Sequence, residues 1–333
     1  MSATTSASRV RTVLSSRWFR LTARSLVGVG VLVAVVAQVG SEPFLRGLSS
    51  IDLRVIVITL VLSFAATIAA AWRWSVIACR LGVGLSLPEA VGRYYRSQFL
   101  NTVLPGGVVG DVDRAVAQGR NAGNVPQAAR AVVIERTMGL VVQIALAVIV
   151  LAYFGSEFEG VLLPALGVGL AVLAVAAVAT AAASARARRA LRRELDELAA
   201  GVGSPSAFVQ VVAASIIVVL CHVATLGVAV AAVGASVPPL RLAALALVIL
   251  LAASIPLNIG GWGPREGIAG WTFAVAGLGA ATGVAASALF GVLAMIAVAP
   301  GLVLSVAAAV RRAPAPVPAP EVVLAAANRG VDS

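Results

Sequence analysis

Long uninterrupted apolar runs recur along the chain and constrain its fold more than any other feature. Two of them are "VIVITLVLSFAATIAAAW" (55–72) and "LAALALVILLAASIPL" (242–257). About 18 or more such residues, wound as a helix rising ~1.5 Å per residue, cross a hydrocarbon core roughly 30 Å thick. Helix is the required form, because a segment in lipid must satisfy its backbone N–H and C=O groups internally. The runs are continuous rather than alternating, which excludes a β-barrel. The sequence predicts an all-α, polytopic helical membrane protein.

Charge fits the same class. The 333 residues are 60% hydrophobic and 12% charged, with a net charge of +11, and every basic residue is Arg. In a soluble chain that excess would suggest nucleic acid. In this one the arginines read as topogenic, facing an anionic leaflet, and no nucleic-acid partner is expected. Cys79 and Cys221 lie among apolar residues without CxxC or metal spacing, so neither a metal nor a cofactor is expected.

Residues 1–20 read as a basic cytoplasmic N-terminus, 21–312 as the transmembrane domain and 313–333 as a disordered Pro/Ala-rich tail. A cleavable signal is the competing reading of the first apolar run. Spans are expected near 22–40, 55–72, 137–154, 161–183, 207–233, 242–257, 268–280 and 283–309, about eight in all. Both termini then lie in the cytoplasm of a plasma-membrane protein, with 41–54 and 155–160 outside. Trp72 and Trp74 beside Arg73 and Arg80 mark an inner interface, as do Tyr94 and Tyr95 beside Arg93 and Arg96. The run 184–200 reads as a solvated cytoplasmic connector. Its Leu191, Leu195 and Leu198 share a face, and Arg192–Asp196 and Arg193–Glu197 stand at i,i+4.

Two segments break the apolar pattern: "RYYRSQFLNTVLPGGVVGDVDRA" (93–115) and "NIGGWGPREG" (258–267). Each has an apolar approach, a Gly/Pro break, then an acid and an arginine, in comparable places of the two halves. Paired interruptions of this kind suggest an internal repeat and point to a transport site. Glycines let backbone N–H groups converge on a ligand, and half-helix N-termini favour anions. Arg114 and Arg265 carry planar forks suited to phosphate oxygens, and Asp111, Asp113, Glu135 and Glu266 can hold them in its absence. The candidate headgroup site comprises Gln98, Asn101, Gly106, Gly107, Gly110, Asp111, Arg114, Glu135, Arg136, Asn258, Gly260, Gly261, Gly263, Arg265 and Glu266. The purely structural alternative is that the charge pairs pin loops to the inner surface and the glycines serve helix packing. His222, the one histidine, reads first as a packing residue.

Three pieces in order, "RSQFLNTVLPGGVVGDVDR", "ERTMG" (135–139) and "PLNIGGWGPREG", resemble the flippase-like membrane domain of lysylphosphatidylglycerol synthases and its stand-alone relatives. The resemblance covers roughly residues 20–312, with Val109 replacing a glycine that many relatives carry. It implies translocation of an anionic phospholipid or a polyprenyl-phosphate-linked lipid. By motif it marks Asn101, Gly110, Asp111, Arg114, Glu135, Arg136, Gly261, Gly263, Arg265 and Glu266. The synthase portion is not expected here, so the chain should not itself make lysylphosphatidylglycerol.

Two other functions compete with lipid flipping. One is a non-transporting membrane partner of a glycosyltransferase or lipid-modifying enzyme. The other is an enzyme acting on a lipid phosphate, for which only His222 and scattered carboxylates are at hand. No GxxxxGK[ST] motif is present, so movement is expected to be downhill or ion-coupled rather than driven by ATP.

Overall fold

A computed structural model describes residues 41–104, 107–154, 185–254 and 263–312. Among these the chain is helical: α1 (Glu42–Ser49), α2 (Leu53–Arg80), α3 (Leu87–Val103), α4 (Val109–Asn121), α5 (Val125–Phe154), α6 (Ala185–Val202), α7 (Pro205–Ala232), α8 (Pro239–Ala253), α9 (Pro264–Val275), α10 (Ala280–Ala297) and α11 (Ala299–Arg312). Local chemistry sets the helix starts. The Asp52 carboxylate accepts the Val55 N–H at 2.7 Å, Ser204 caps α7 through the Ala207 N–H, and Pro205, Pro239 and Pro264 open their helices.

Among the described residues, four stretches are long and apolar enough to cross a membrane: Leu53–Arg80, Val125–Ala152, Pro205–Ala232 and Ala280–Ala307. The spans expected at 22–40 and 161–183 lie outside the described residues, as does the tail 313–333. The span expected at 268–280 is instead the 12-residue α9, which ends before a turn at Gly277 and Gly279. At about 18 Å it covers only part of a bilayer core. The 15-residue α8, about 22 Å long, is similarly short. The third expected span begins at Val125 rather than 137, because Glu135 and Arg136 sit within a helix that carries them inside the bundle.

The architecture repeats. α2 and α7 are each 28 residues long. Each is followed by a short helix (α3, α8), a break, a second short helix (α4, α9) and a long apolar helix (α5, α10). Asp111 and Glu266 are each the third residue of the helix after the break. Among the described helices α2 and α7 make the most extensive pairing, while α5 meets α7 and α10 meets α2. α2 and α7 run antiparallel: Val55 shares a core cluster with Leu226 and Val230, while Ile77 clusters with Val202 and Val211. The matching element order and the antiparallel pairing of α2 with α7 are in keeping with the internal repeat expected from the two breaks.

Apolar side chains such as Leu53, Val57, Val61 and Phe64 project outward from α2. Inside lie Arg73, Arg114, Glu135, Arg265 and Glu266. This distribution suits a lipid exterior around a polar interior. The connector helix α6 docks rather than standing free: Arg130 of α5 bonds Glu194, and Gln127 Nε2 donates to Glu197 at 2.6 Å. Leu198 packs on the bundle, but Leu195 remains exposed, so the expected leucine face is only partly used.

Candidate functional site

The break after α3 is closed by Asn101. Its Oδ1 accepts the Gly110 N–H at 2.7 Å, and its Nδ2 donates to Asp111 at 3.3 Å. One amide thereby satisfies an unpaired donor in the first turn of α4 and ties that turn to the end of α3. A Cβ at Gly110 would overlap the backbone of Ser97, so this glycine permits α3 and α4 to meet backbone to backbone. Gly107 turns the chain with φ 61°. The first break is short: residues 101–103 are the last turn of α3 and 109–110 the first of α4.

In the second break, Glu266 Oε2 accepts the Gly263 N–H at 2.7 Å, capping α9 from within. Gly263 has φ 135°, which L side chains rarely adopt. Arg265 bonds Glu266 and Ser287, and its guanidinium carbon lies 5.2 Å from the Phe290 ring centroid. Gly106, Asn258, Gly260 and Gly261 lie outside the described residues.

The main charge cluster joins α2, α3, α4, α5 and α7. Glu135, with no exposed surface, accepts from Arg73 Nε at 3.0 Å, from Arg114 Nη2 at 2.6 Å and from the Tyr94 hydroxyl at 3.2 Å. Asp111 accepts from Arg114 Nε at 3.0 Å, from Arg136 Nη2 and from the Ser97 hydroxyl. Arg114 is also held between aromatic faces, its guanidinium carbon 4.7 Å from the ring centroids of both Trp74 and Tyr94. Arg73 additionally donates to Ser215 at 2.9 Å. The glycine of "ERTMG" makes room for it: a Cβ on Gly139 would stand 2.8 Å from Arg73 Nη1.

Three guanidiniums, of Arg73, Arg114 and Arg136, thus share two carboxylates, of Asp111 and Glu135. The cluster carries a surplus positive charge among the described residues. Beside it lies a cavity of about 440 Å³, within the roughly 300–1,000 Å³ typical of ligand pockets. Arg73 and Arg136 border it, and so do the uncharged polar groups of Gln98, Gln143, Ser215, His222 and Ser254. Leu140, Val218, Leu250 and Phe290 supply apolar wall. The amide nitrogen of Gln143 is buried and has no hydrogen-bond partner. Leaving such a donor unmet costs about 1–3 kcal/mol.

These positions revise several expectations. Arg73 and Tyr94 are not interface anchors; both are buried at the centre of the ionic cluster, because Glu135 draws their polar groups inward. Trp74 is likewise fully buried. Of the expected arginines, Arg114 and Arg265 are nearly inaccessible and absent from the cavity wall, whereas Arg136 and the unforeseen Arg73 border it. His222 and Gln143 also line it, though neither sits in a recognisable motif. The cluster is legible in part, since Asp111, Arg114, Glu135 and Arg136 were all expected and do come together. Arg265 and Glu266 form a separate pair behind Phe290.

No curated protein and no solved structure matches the chain. The profile described as the lysylphosphatidylglycerol synthase TM region matches residues 21–301, which include both breaks, the ionic cluster and the cavity. The chain belongs to the lysylphosphatidylglycerol synthase transmembrane-region family.

Proposed function

We propose that this membrane protein moves an anionic lipid between leaflets, without covalent chemistry, with its headgroup held in the cavity beside Arg73 and Arg136. The observation that carries the reading is the charge surplus: three guanidiniums share two carboxylates, and the half-exposed Arg136 borders the cavity. Moving an isolated ion into hydrocarbon costs on the order of 20 kcal/mol in the idealised limit. A preformed cationic wall offsets that cost for a phosphate, while its neighbouring apolar wall suits the start of a lipid tail. The bound phosphate competes with Asp111 for Arg136, and so bears on the α3–α4 break that Asp111 and Asn101 hold together. Candidate lipids are phospholipids and polyprenyl-phosphate-linked lipids. Arginine placement favours both termini in the cytoplasm and residence in the plasma membrane.

Purified protein in liposomes doped with an acyl-labelled anionic phospholipid tests this reading. Parent protein should accelerate lipid exchange between leaflets, and Arg136→Ala should lose at least tenfold of that acceleration. Arg189→Ala, on the exposed surface of α6, should retain it. Lipid retention without exchange in the parent protein would favour a docking partner for a lipid-modifying enzyme instead.

A further inference from the structure

The uncharged polar groups that line the cavity with the arginines narrow the class of headgroup. Among the described residues, the cavity is bordered by two arginines and by no carboxylate; Asp111 and Glu135 stand behind those arginines, already engaged. The remaining polar groups are uncharged amides and hydroxyls together with His222. The buried Gln143 Nε2 has no acceptor, and Ser254 spends its proton on the Leu250 carbonyl at 3.0 Å, leaving oxygen lone pairs. The Thr67 hydroxyl gives its one proton to the Ser63 carbonyl at 2.8 Å, so in its 3.2 Å contact with Gln98 the amide donates and the Gln98 carbonyl oxygen is left to accept. A group able both to donate and to accept satisfies such a wall, and a hydroxyl does so.

We infer that the cavity selects lipids whose phosphate carries an uncharged polyol, glycerol or a sugar, and rejects those bearing ammonium groups. The phosphate meets Arg73 and Arg136 while hydroxyls meet Gln143, Gln98 and Ser254. This rests on the anionic-lipid reading above and goes further, because charge alone would admit any phosphate. Among the described residues an ammonium group finds two guanidiniums and no carboxylate at the cavity wall. Lysylphosphatidylglycerol places two ammoniums against one phosphate, so it is rejected despite the family's name. Gln143 is the specificity residue, since its unmet donor is the group a hydroxyl would satisfy.

The test uses the full chain and three probes: phosphatidylglycerol, phosphatidylethanol and lysylphosphatidylglycerol. Phosphatidylethanol keeps the single negative charge but lacks hydroxyls. Protein purified after incubation with an equimolar mixture is assayed for retained lipid by native mass spectrometry, independently of leaflet exchange. Phosphatidylglycerol should be retained roughly tenfold over phosphatidylethanol, the scale of one or two hydrogen bonds, and lysylphosphatidylglycerol least. Gln143→Leu should erase the preference for phosphatidylglycerol without lowering phosphatidylethanol retention, since the donor that ethyl leaves unmet is gone. Gln143→Glu should admit lysylphosphatidylglycerol at the expense of the anionic lipids, which guards against reading a misfolded variant as a positive result. Equal retention of all three lipids, or preferential retention of the lysyl lipid, by parent protein overturns the inference. Selective retention of phosphatidylglycerol without leaflet exchange would sustain the inference and sink the transport reading. Soluble glycerol 3-phosphate at millimolar concentration should not displace the retained lipid; full displacement would identify a soluble ligand and overturn the lipid assignment.

Discussion

Arg73 on α2 and Glu135 on α5 bind each other at the centre of the bundle, through both Nε and Nη2 of the guanidinium. Glu135 also serves Arg114 and Tyr94, so one carboxylate ties three other helices, α2, α3 and α4, to α5. Its removal should therefore do more than break one pair. Glu135→Gln should destabilise the protein by about 3–5 kcal/mol, the range for stripping one partner from a buried ion pair. The double variant Arg73→Gln with Glu135→Gln should recover part of the loss. Thermal unfolding in detergent of both single variants and the double beside the parent checks this. Additive losses would show that the two residues are not coupled.

Asn101 and Gly110 form the clip across the first break. Asn101→Ala removes the acceptor for the Gly110 N–H and should cost about 1 kcal/mol. The effect should be local, appearing as faster hydrogen exchange across residues 104–112 with little change in α7. Uniform acceleration over the whole chain would contradict the clip.

Gly110 also tests the backbone contact between α3 and α4. Gly110→Ala drives a methyl group into the Ser97 carbonyl and should cost at least ~1–3 kcal/mol through overpacking. Gly84→Ala meets nothing within 4 Å and should be nearly neutral. Thermal unfolding midpoints of the two variants should separate clearly.

Gly139→Ala addresses the cavity rather than the fold. Its methyl group would stand 2.8 Å from Arg73 Nη1 and shifts the guanidinium against the cavity by a few tenths of an ångström while its bond to Glu135 is kept. The expected result is a severalfold loss of lipid exchange per folded molecule with a modest change in stability, since a side-chain end moves more readily than backbone. Unchanged exchange would remove Arg73 from the site.

Topology is tested by introduced cysteines after replacement of Cys79 and Cys221. A cysteine at Arg193, exposed on α6, should react only with reagent admitted to the cytoplasm, and one at Ser49, exposed on α1, only from outside. Labelling of Arg193→Cys from outside intact cells would invert the assignment.

The apolar runs by themselves determined a helical membrane protein, because lipid accepts backbone only when its hydrogen bonds are internal. The Gly/Pro breaks likewise announced two interruptions: a glycine with positive φ and a helix-opening proline are local constraints, visible in Gly263 and Pro264 without any partner. Family motifs brought Asp111, Arg114, Glu135 and Arg136 to attention together. Which arginine faces the cavity was decided only in three dimensions. Arg73 looked like an interfacial anchor because hydropathy averages over a window and cannot see Glu135, sixty-two positions away in the chain. Tyr94 was misplaced for the same reason, and Gln143 and His222 lacked any local signature. Their roles come from the antiparallel packing of α2 on α7 and the approach of α5, which convert scattered polar residues into one cluster with one surplus charge. The described lengths of α8 and α9, 15 and 12 residues, also came only from the structure, because apolar composition sets whether a helix tolerates lipid, whereas the adjoining break sets how long it runs.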